Sequence, residues 1–239
     1  ETAAKSYDWI NMATIEVEGK RKRGANISRL INIGISRTLH DWSYFSKIDA
    51  DIVLPSKYFE RILSKFDEEE DLGIASGNCY EYGRREEGKV ESVIEGHTRG
   101  ALKTYRKECY IQIGGIKEID GWDGLDNMTA QYHGWKTKNF TSILVDQMRP
   151  TGSLDGTISN FFSAGVKSHI LCYSWAYLIA KSLAAMKRRP VLIGGLCIFI
   201  GFIGAKLMGT EKIKDRGLIN FIRSSQRTRL LRIIGIGNR

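Results

Sequence analysis

The stretch FSKIDADIVLPSKYFERILSKFDEE, residues 45–69, constrains the fold more than any other part of the chain. An apolar run ends in two aspartates one residue apart, Asp49 and Asp51. A second short apolar run follows, and Pro55 opens a helix-like pattern. Proline suits the first turn of a helix, where its missing N–H would have had no partner. A strand that leads through a polar tip into a helix is the repeating unit of an α/β layer structure.

The same alternation runs through residues 1–155. Residues 1–7 read as a helix, and WINMATIEV (9–17) alternates as a strand does. EGKRKRGANISR is a basic, glycine-containing loop that leads into a helix over about 25–38. LGIASGNCYEY and KVESVIEGHT read as strands around a polar turn, and TYRKECYIQIGG as a short helix ending at Gly114 and Gly115. DGLDNMTAQYHGW begins another helix, and KTKNFTSILVDQ is a strand. There is no internal repeat, so the pattern predicts one α/β domain.

Charge marks where that domain ends. Residues 1–155 carry 22 Lys/Arg against 25 Asp/Glu, and residues 156–239 carry 14 against 2. The break places the boundary at 155/156. A basic region implies an anionic partner, either nucleic acid or a membrane surface. The run LIGGLCIFIGFIGA argues against a nucleic-acid arm, which would interleave polar and stacking residues. Around it lie a helical pattern over 160–186, the interruption KRRP, and an amphipathic segment over 216–234. Tyr173, Trp175 and Tyr177 are types favoured at lipid headgroups, and Arg223, Arg227 and Arg232 alternate with Leu, Ile and Phe. The 15 uncharged residues 191–205 rise about 22 Å as a helix, short of a hydrocarbon core of about 30 Å. A single span stretched by snorkelling of Lys206, Arg188 and Arg189 and an interfacial or re-entrant arrangement both remain open. The four cysteines have no C-x-x-C spacing, which fits reduced thiols rather than a zinc site.

In a strand, residues i and i+2 point to the same side, so Asp49 and Asp51 are expected to project together from the strand's carboxyl end. Open α/β sheets bind ligands at that edge. Two neighbouring carboxylates repel unless a cation lies between them, and Mg²⁺ takes one or two carboxylates while completing its shell with phosphates. The alternative is a helix cap beside a solvated carboxylate.

KIDADIVLPSKYFE as a whole resembles the nucleotide-sugar-binding segment of family 2 glycosyltransferases, which have the GT-A fold. Further segments follow in that family's order. ETAAKSYDWI resembles the helix after the family's second strand, and GKRKRGANISRLINIGI the loop and helix before the aspartate strand. YRKECYIQIGGIKE resembles the acceptor segment, GWDGLDNMTAQYHGWKT the catalytic-base segment, and RPTGSLDG the segment that closes the catalytic domain in membrane-associated members.

The resemblance implies an inverting, metal-dependent sugar transfer from a UDP- or GDP-linked donor to a glycan or lipid-linked acceptor, at the cytoplasmic face of an anionic membrane. It implies a cell-envelope or polysaccharide product and two preceding strands that hold the base and ribose. By the same resemblance Asp51 ligates Mg²⁺ or Mn²⁺, and Asp49 contacts the ribose or the ion's outer shell. Asp126 matches the base, with Asp123 as rival because Leu125 stands where an acidic residue usually precedes it. Lys20, Arg23 and Asn26 fall on the donor side, His97, Arg99 and Trp122 on the acceptor side. Gln226 and Arg229 match a Q-x-x-R-W motif of processive members, with Leu230 in place of its tryptophan. The rival reading is a catalytically inactive, glycosyltransferase-like scaffold subunit of a membrane assembly.

Overall fold

The computed structural model describes residues 7, 9–16, 23–38, 41–81, 96–149, 156–187 and 189–235. The expected helix over 1–7 and strand over 89–98 lie almost wholly outside these residues. Residues 10–16 have no regular structure, although 9–17 alternate as a strand does. Alternation makes a strand only beside a partner strand, and among the described residues this segment has none.

The strands are β1 (Tyr44–Ile48), β2 (Ile52–Val53), β3 (Leu72–Glu81), β4 (Leu102–Arg106) and β5 (Lys136–Gln147). They form one sheet in the order β1-β4-β3-β5-β2, with β3 and β5 parallel and the other neighbours antiparallel. Helix α1 (Arg23–Ser36) precedes the sheet, and α2 (Tyr58–Glu68), α3 (Lys107–Gln112) and α4 (Trp122–Tyr132) lie within it in sequence. The α2 residues Tyr58, Ile62 and Phe66, one turn apart, pack against Leu72, Leu102, Ile143 and Val145. A second cluster joins Ile74 and Tyr105 to Cys109, Ile113, Trp122 and Ala130, which come from α3, α4 and the loop between them. The sheet is therefore the middle of three layers.

β1 and β2 occupy opposite edges of the sheet although only Asp49–Asp51 separates them. Four residue steps reach at most about 14 Å, whereas a flat path from first to fifth strand is about 19 Å. The sheet must curl, and the register shows where. Gly77 pairs with Phe140 but Asn78 with Leu144, so β5 gains three residues on β3 at that point.

Residues 156–235 form α5 (Thr157–Ile170), α6 (Trp175–Met186), α7 (Ile193–Leu207) and α8 (Arg216–Ile233). The expected continuous helix over 160–186 is two helices. Cys172 adopts a left-handed φ of 53°, and Ser174 caps α6 by accepting the Tyr177 N–H at 3.3 Å. Helices α5 and α7 meet backbone to backbone: a Cβ on Gly165 would fall 2.0 Å from the Ile198 carbonyl oxygen. Among the described residues no helix is long and apolar enough to cross a membrane. Leu218 and Ile222 of α8 pack with Leu125 of α4 and Leu171, so the basic region shares a core with the sheet domain.

Candidate active site

Asp49 and Asp51 stand in a turn. β1 leaves its ladder with β4 at Ile48, and the Ile52 N–H donates back to the Asp49 carbonyl at 3.2 Å. The expected strand geometry, with both carboxylates projecting to one side, is thus replaced by a turn. The reason is the jump from one sheet edge to the other. Backbone bonds tie the turn to both sides: the Asp49 N–H donates to the Ala101 carbonyl at 2.9 Å, and the Met148 N–H to the Asp51 carbonyl at 2.8 Å. Both aspartates are half-buried and lie in the electrostatic environment of the Cys79 thiol, to which Arg99 is hydrogen-bonded. Arg99 therefore sits on the donor-aspartate side.

The two carboxylates differ. Asp49 is bound by the Lys47 ammonium at 2.5 Å, and that ammonium also donates to the Gly100 carbonyl at 2.7 Å. Among the described residues, the Asp51 carboxylate has no hydrogen-bonding or ionic partner. No three His, Cys, Asp or Glu side chains among the described residues converge on a metal-sized site. A hard divalent ion needs only one or two carboxylates when diphosphate oxygens complete its shell. The unpartnered Asp51, with Asp49 two residues away, fits such an ion.

Across Gly100 stands the start of α4. A Cβ on Gly100 would fall 2.9 Å from Asp123 Oδ2, so glycine is what lets the two segments approach. Trp122 is buried, with the Lys47 and Lys103 ammoniums 5.9 and 5.5 Å from its ring centre. Its face is occupied from within the protein. Lys47 and Lys103 are cross-strand partners on β1 and β4.

Asp126, one turn into α4, is 4% exposed and fully engaged. Its Oδ1 accepts from Lys103 Nζ at 2.7 Å and from the Asn127 N–H at 2.7 Å. Its Oδ2 accepts from Lys103 Nζ at 2.8 Å and from the Tyr105 hydroxyl. A carboxylate offers about four lone-pair positions, and here all are used. Burial pushes the Asp126 pKa up, and Lys103 pulls it down. Burial together with the Asp126 charge holds the Tyr105 hydroxyl well above its ordinary pKa, so it stays a donor. Asp123, in the first turn, is half-buried, and its carbonyl rather than its carboxylate receives Lys103 Nζ at 2.5 Å. Asn127 Nδ2 reaches the Asp123 carbonyl at 2.8 Å and His97 Nδ1 at 3.4 Å, while its Oδ1 accepts from Thr98. Burial, reinforced by Lys103, lowers the His97 pKa, so its imidazole is neutral at neutral pH.

The C-terminal helices reach this site. Arg229 of α8 donates to the Tyr177 hydroxyl of α6 at 3.2 Å and contributes to the field at His97. Gln226 is buried, accepts the Ser174 N–H at 3.0 Å, and leaves its Nε2 without a partner among the described residues. Asn26 lies near the start of α1, where the Ala25 N–H donates to Asp120 Oδ1 at 3.3 Å. Lys20 and the Arg23 side chain lie outside the described residues.

Sequence reading missed Lys47, Lys103 and Tyr105, and it singled out Tyr177 only as a headgroup-level aromatic rather than as a partner of Arg229. The available signal was period two: in LKTYR, Lys103 and Tyr105 share one strand face and Leu102 takes the other.

Over 95% of its length the chain matches the structure of the mannosyltransferase PcManGT from Pyrobaculum calidifontis, solved with GDP-Man and Mn2+, at a TM-score of 0.50 and 11% identity. The chain has a glycosyltransferase fold. It spans 65% of that mannosyltransferase's length. No family model matches the chain, and no curated protein matches it by sequence.

Proposed function

We propose that the chain is a family 2 glycosyltransferase of GT-A type. It moves a sugar, with inversion, from a UDP- or GDP-linked donor to a glycan or lipid-linked acceptor, using Mg²⁺ or Mn²⁺. The observation that carries this reading is the Asp51 carboxylate, unpartnered among the described residues, in the turn at the sheet edge, with the acidic start of α4 close by across Gly100. The mannosyltransferase that shares the fold was solved with a nucleotide sugar and Mn2+.

In this reading Asp51, with Asp49 beside it, holds the ion. When bound, the ion supplies Lewis-acid neutralisation of the leaving diphosphate. Asp49, hydrogen-bonded to the Lys47 ammonium, accepts a hydrogen bond from a donor hydroxyl. The saturated carboxylate of Asp126 has no lone pair left for an acceptor hydroxyl, which moves the base role to Asp123. Asp123 takes the proton from the attacking hydroxyl, and Lys103, through its bond to the Asp123 carbonyl and its grip on Asp126, fixes the helix start that presents it.

Helices α5–α8 would rest on the cytoplasmic face of an anionic membrane. Trp175, Ile179 and Leu183 form an exposed stripe one turn apart on α6, and Leu192, Leu196 and Ile200 form another at α7. Lys206 lies 5.5 Å from the Trp175 ring, at the edge of this apolar surface. A panel of UDP- and GDP-sugars titrated with and without Mn²⁺ tests the transferase reading. Metal-dependent binding of one donor supports it, and no binding to any donor refutes it. The inactive-scaffold reading draws on the lysines that already neutralise Asp49 and Asp126. Donor binding without any sugar release would favour it.

A further inference from the structure

Lys47 is a cation to which the proposed transfer gives no step. It lies on β1 two residues before Asp49, with its side chain 9% exposed against 42% for that of Asp49. Its ammonium donates to Asp49 Oδ1 at 2.5 Å and to the Gly100 carbonyl at 2.7 Å, and it lies 5.9 Å from the Trp122 ring centre. Lys103, its cross-strand partner, stands 5.5 Å from the same ring. Each ammonium has its own acid. The Asp126 oxygens are filled by Lys103, Tyr105 and the Asn127 N–H, so they cannot serve Lys47. Among the described residues Asp49 is the only carboxylate within ion-pair distance of Lys47. A nearly buried ammonium that loses its sole acid is left uncompensated, which is costly. Lys47 therefore holds Asp49 firmly.

That hold divides the two aspartates. Asp49 commits an oxygen to an internal cation, while Asp51 has no partner among the described residues. Backbone bonds from the Asp49 N–H to Ala101 and from the Met148 N–H to the Asp51 carbonyl fix the turn on both sides. A divalent ion that reaches the free protein therefore meets one available carboxylate, with the Lys47 charge beside it opposing its approach. One carboxylate is a poor site for Mg²⁺ or Mn²⁺ until phosphate oxygens complete the shell. A diphosphate supplies those oxygens, and its negative charge offsets both the ion and Lys47.

We propose that Lys47 is a positioning residue that withholds Asp49 from a bare divalent ion, so that the ion enters the site together with the nucleotide diphosphate rather than ahead of it. This rests on the transferase reading and adds the order in which its two ligands arrive. Without the Lys47 charge, Asp49 is released to join Asp51, and the turn becomes a two-carboxylate site that takes the ion unaided.

The test is binding of Mn²⁺ to the full chain with no nucleotide present, followed by the electron paramagnetic resonance of the free ion. Lys47→Met and Lys47→Gln should each bind Mn²⁺ about ten-fold more tightly than wild type. Lys47→Gln keeps a donor for the Gly100 carbonyl and serves if Lys47→Met fails to fold. Lys47→Arg keeps the charge and should bind as weakly as wild type, and so should Lys65→Gln on α2, whose lysine pairs with Glu68. Adding Asp49→Asn to Lys47→Gln should remove the gain. Mn²⁺ affinity that is unchanged or weaker without the Lys47 charge overturns the proposal. So does an equal gain in Lys47→Arg, or a gain that survives Asp49→Asn. Binding of UDP- and GDP-sugars in Mn²⁺ separates the two readings. Metal-dependent donor binding by wild type, with no Mn²⁺ gain in the Lys47 variants, rejects the role of Lys47 alone. A Mn²⁺ gain in those variants, with no donor bound by wild type, rejects the transferase alone.

Discussion

Lys103 of β4 and Asp126 of α4 are joined by two hydrogen bonds, of 2.7 and 2.8 Å, with their side chains 0% and 2% exposed. A buried pair of this kind contributes little relative to apolar residues of the same shape, but losing one partner strands the other charge. Lys103→Met should therefore destabilise the protein by about 3–5 kcal/mol in urea unfolding. The double variant Lys103→Met, Asp126→Leu should recover part of that loss. A single variant within 1 kcal/mol of wild type would show that the pair is not sealed from water.

The same geometry separates two neighbouring carboxylates. Asp123→Asn should lower transfer by about 10²–10⁴-fold with donor affinity unchanged, because the residue acts on the acceptor proton. Asp126→Asn should act mainly on stability, since four internal hydrogen bonds already fill its oxygens. If Asp126→Asn abolishes turnover in a fully folded protein and Asp123→Asn does not, the assignment is reversed.

Lys181 gives a pH signature. Its pKa falls from 10.5 unfolded to about 8 folded, so between those values the unfolded chain binds a proton that the folded chain has released. This lysine's contribution to stability therefore rises with pH through that window, and its cost is full below pH 8. Lys181→Met should stabilise the ligand-free protein at pH 7, by on the order of 2 kcal/mol, with the advantage fading towards pH 10.5. Chemical denaturation of both proteins at pH 7, 9 and 10.5 reads the difference. A pH-independent difference would place Lys181 in water.

Two glycines on helices should respond oppositely to alanine. At Gly165 the new Cβ would meet the Ile198 carbonyl oxygen at 2.0 Å, a backbone atom that cannot swing aside. Gly165→Ala should cost about 1–3 kcal/mol by prising α5 from α7. At Gly34 on α1 nothing lies within 4 Å of the added Cβ, and Gly34→Ala should stabilise by about 0.5–1 kcal/mol. Thermal melts of the two variants should shift in opposite directions. A shift of the same sign would contradict the α5–α7 packing.

Long periodic elements were legible in the sequence. The strand expected over 136–147 and the amphipathic helix over 216–234 correspond to β5 and α8. Features set by tertiary pairing were not. LKTYR runs without a turn into α3, so a strand was read as part of a helix, and its two site residues went unseen. The direction of the Asp49 and Asp51 side chains depends on β1 and β2 lying at opposite sheet edges, which no local pattern encodes. The break at 171–174 hides in an apolar stretch whose one audible stop is the capping Ser174. Asp126 carried a family resemblance, but only its contacts with Lys103 and Tyr105 show that its oxygens are already filled.

The central claim is that Asp51 joins a divalent ion to a nucleotide-sugar diphosphate. It is tested most directly by release of nucleoside diphosphate from a panel of UDP- and GDP-sugars, comparing wild type with Asp51→Asn, each in Mn²⁺ and in chelator. Wild type should release nucleotide from one donor in Mn²⁺ only, and Asp51→Asn should remain folded and lose at least 100-fold of that activity. Release that persists in chelator, or that survives unchanged in Asp51→Asn, would contradict the account.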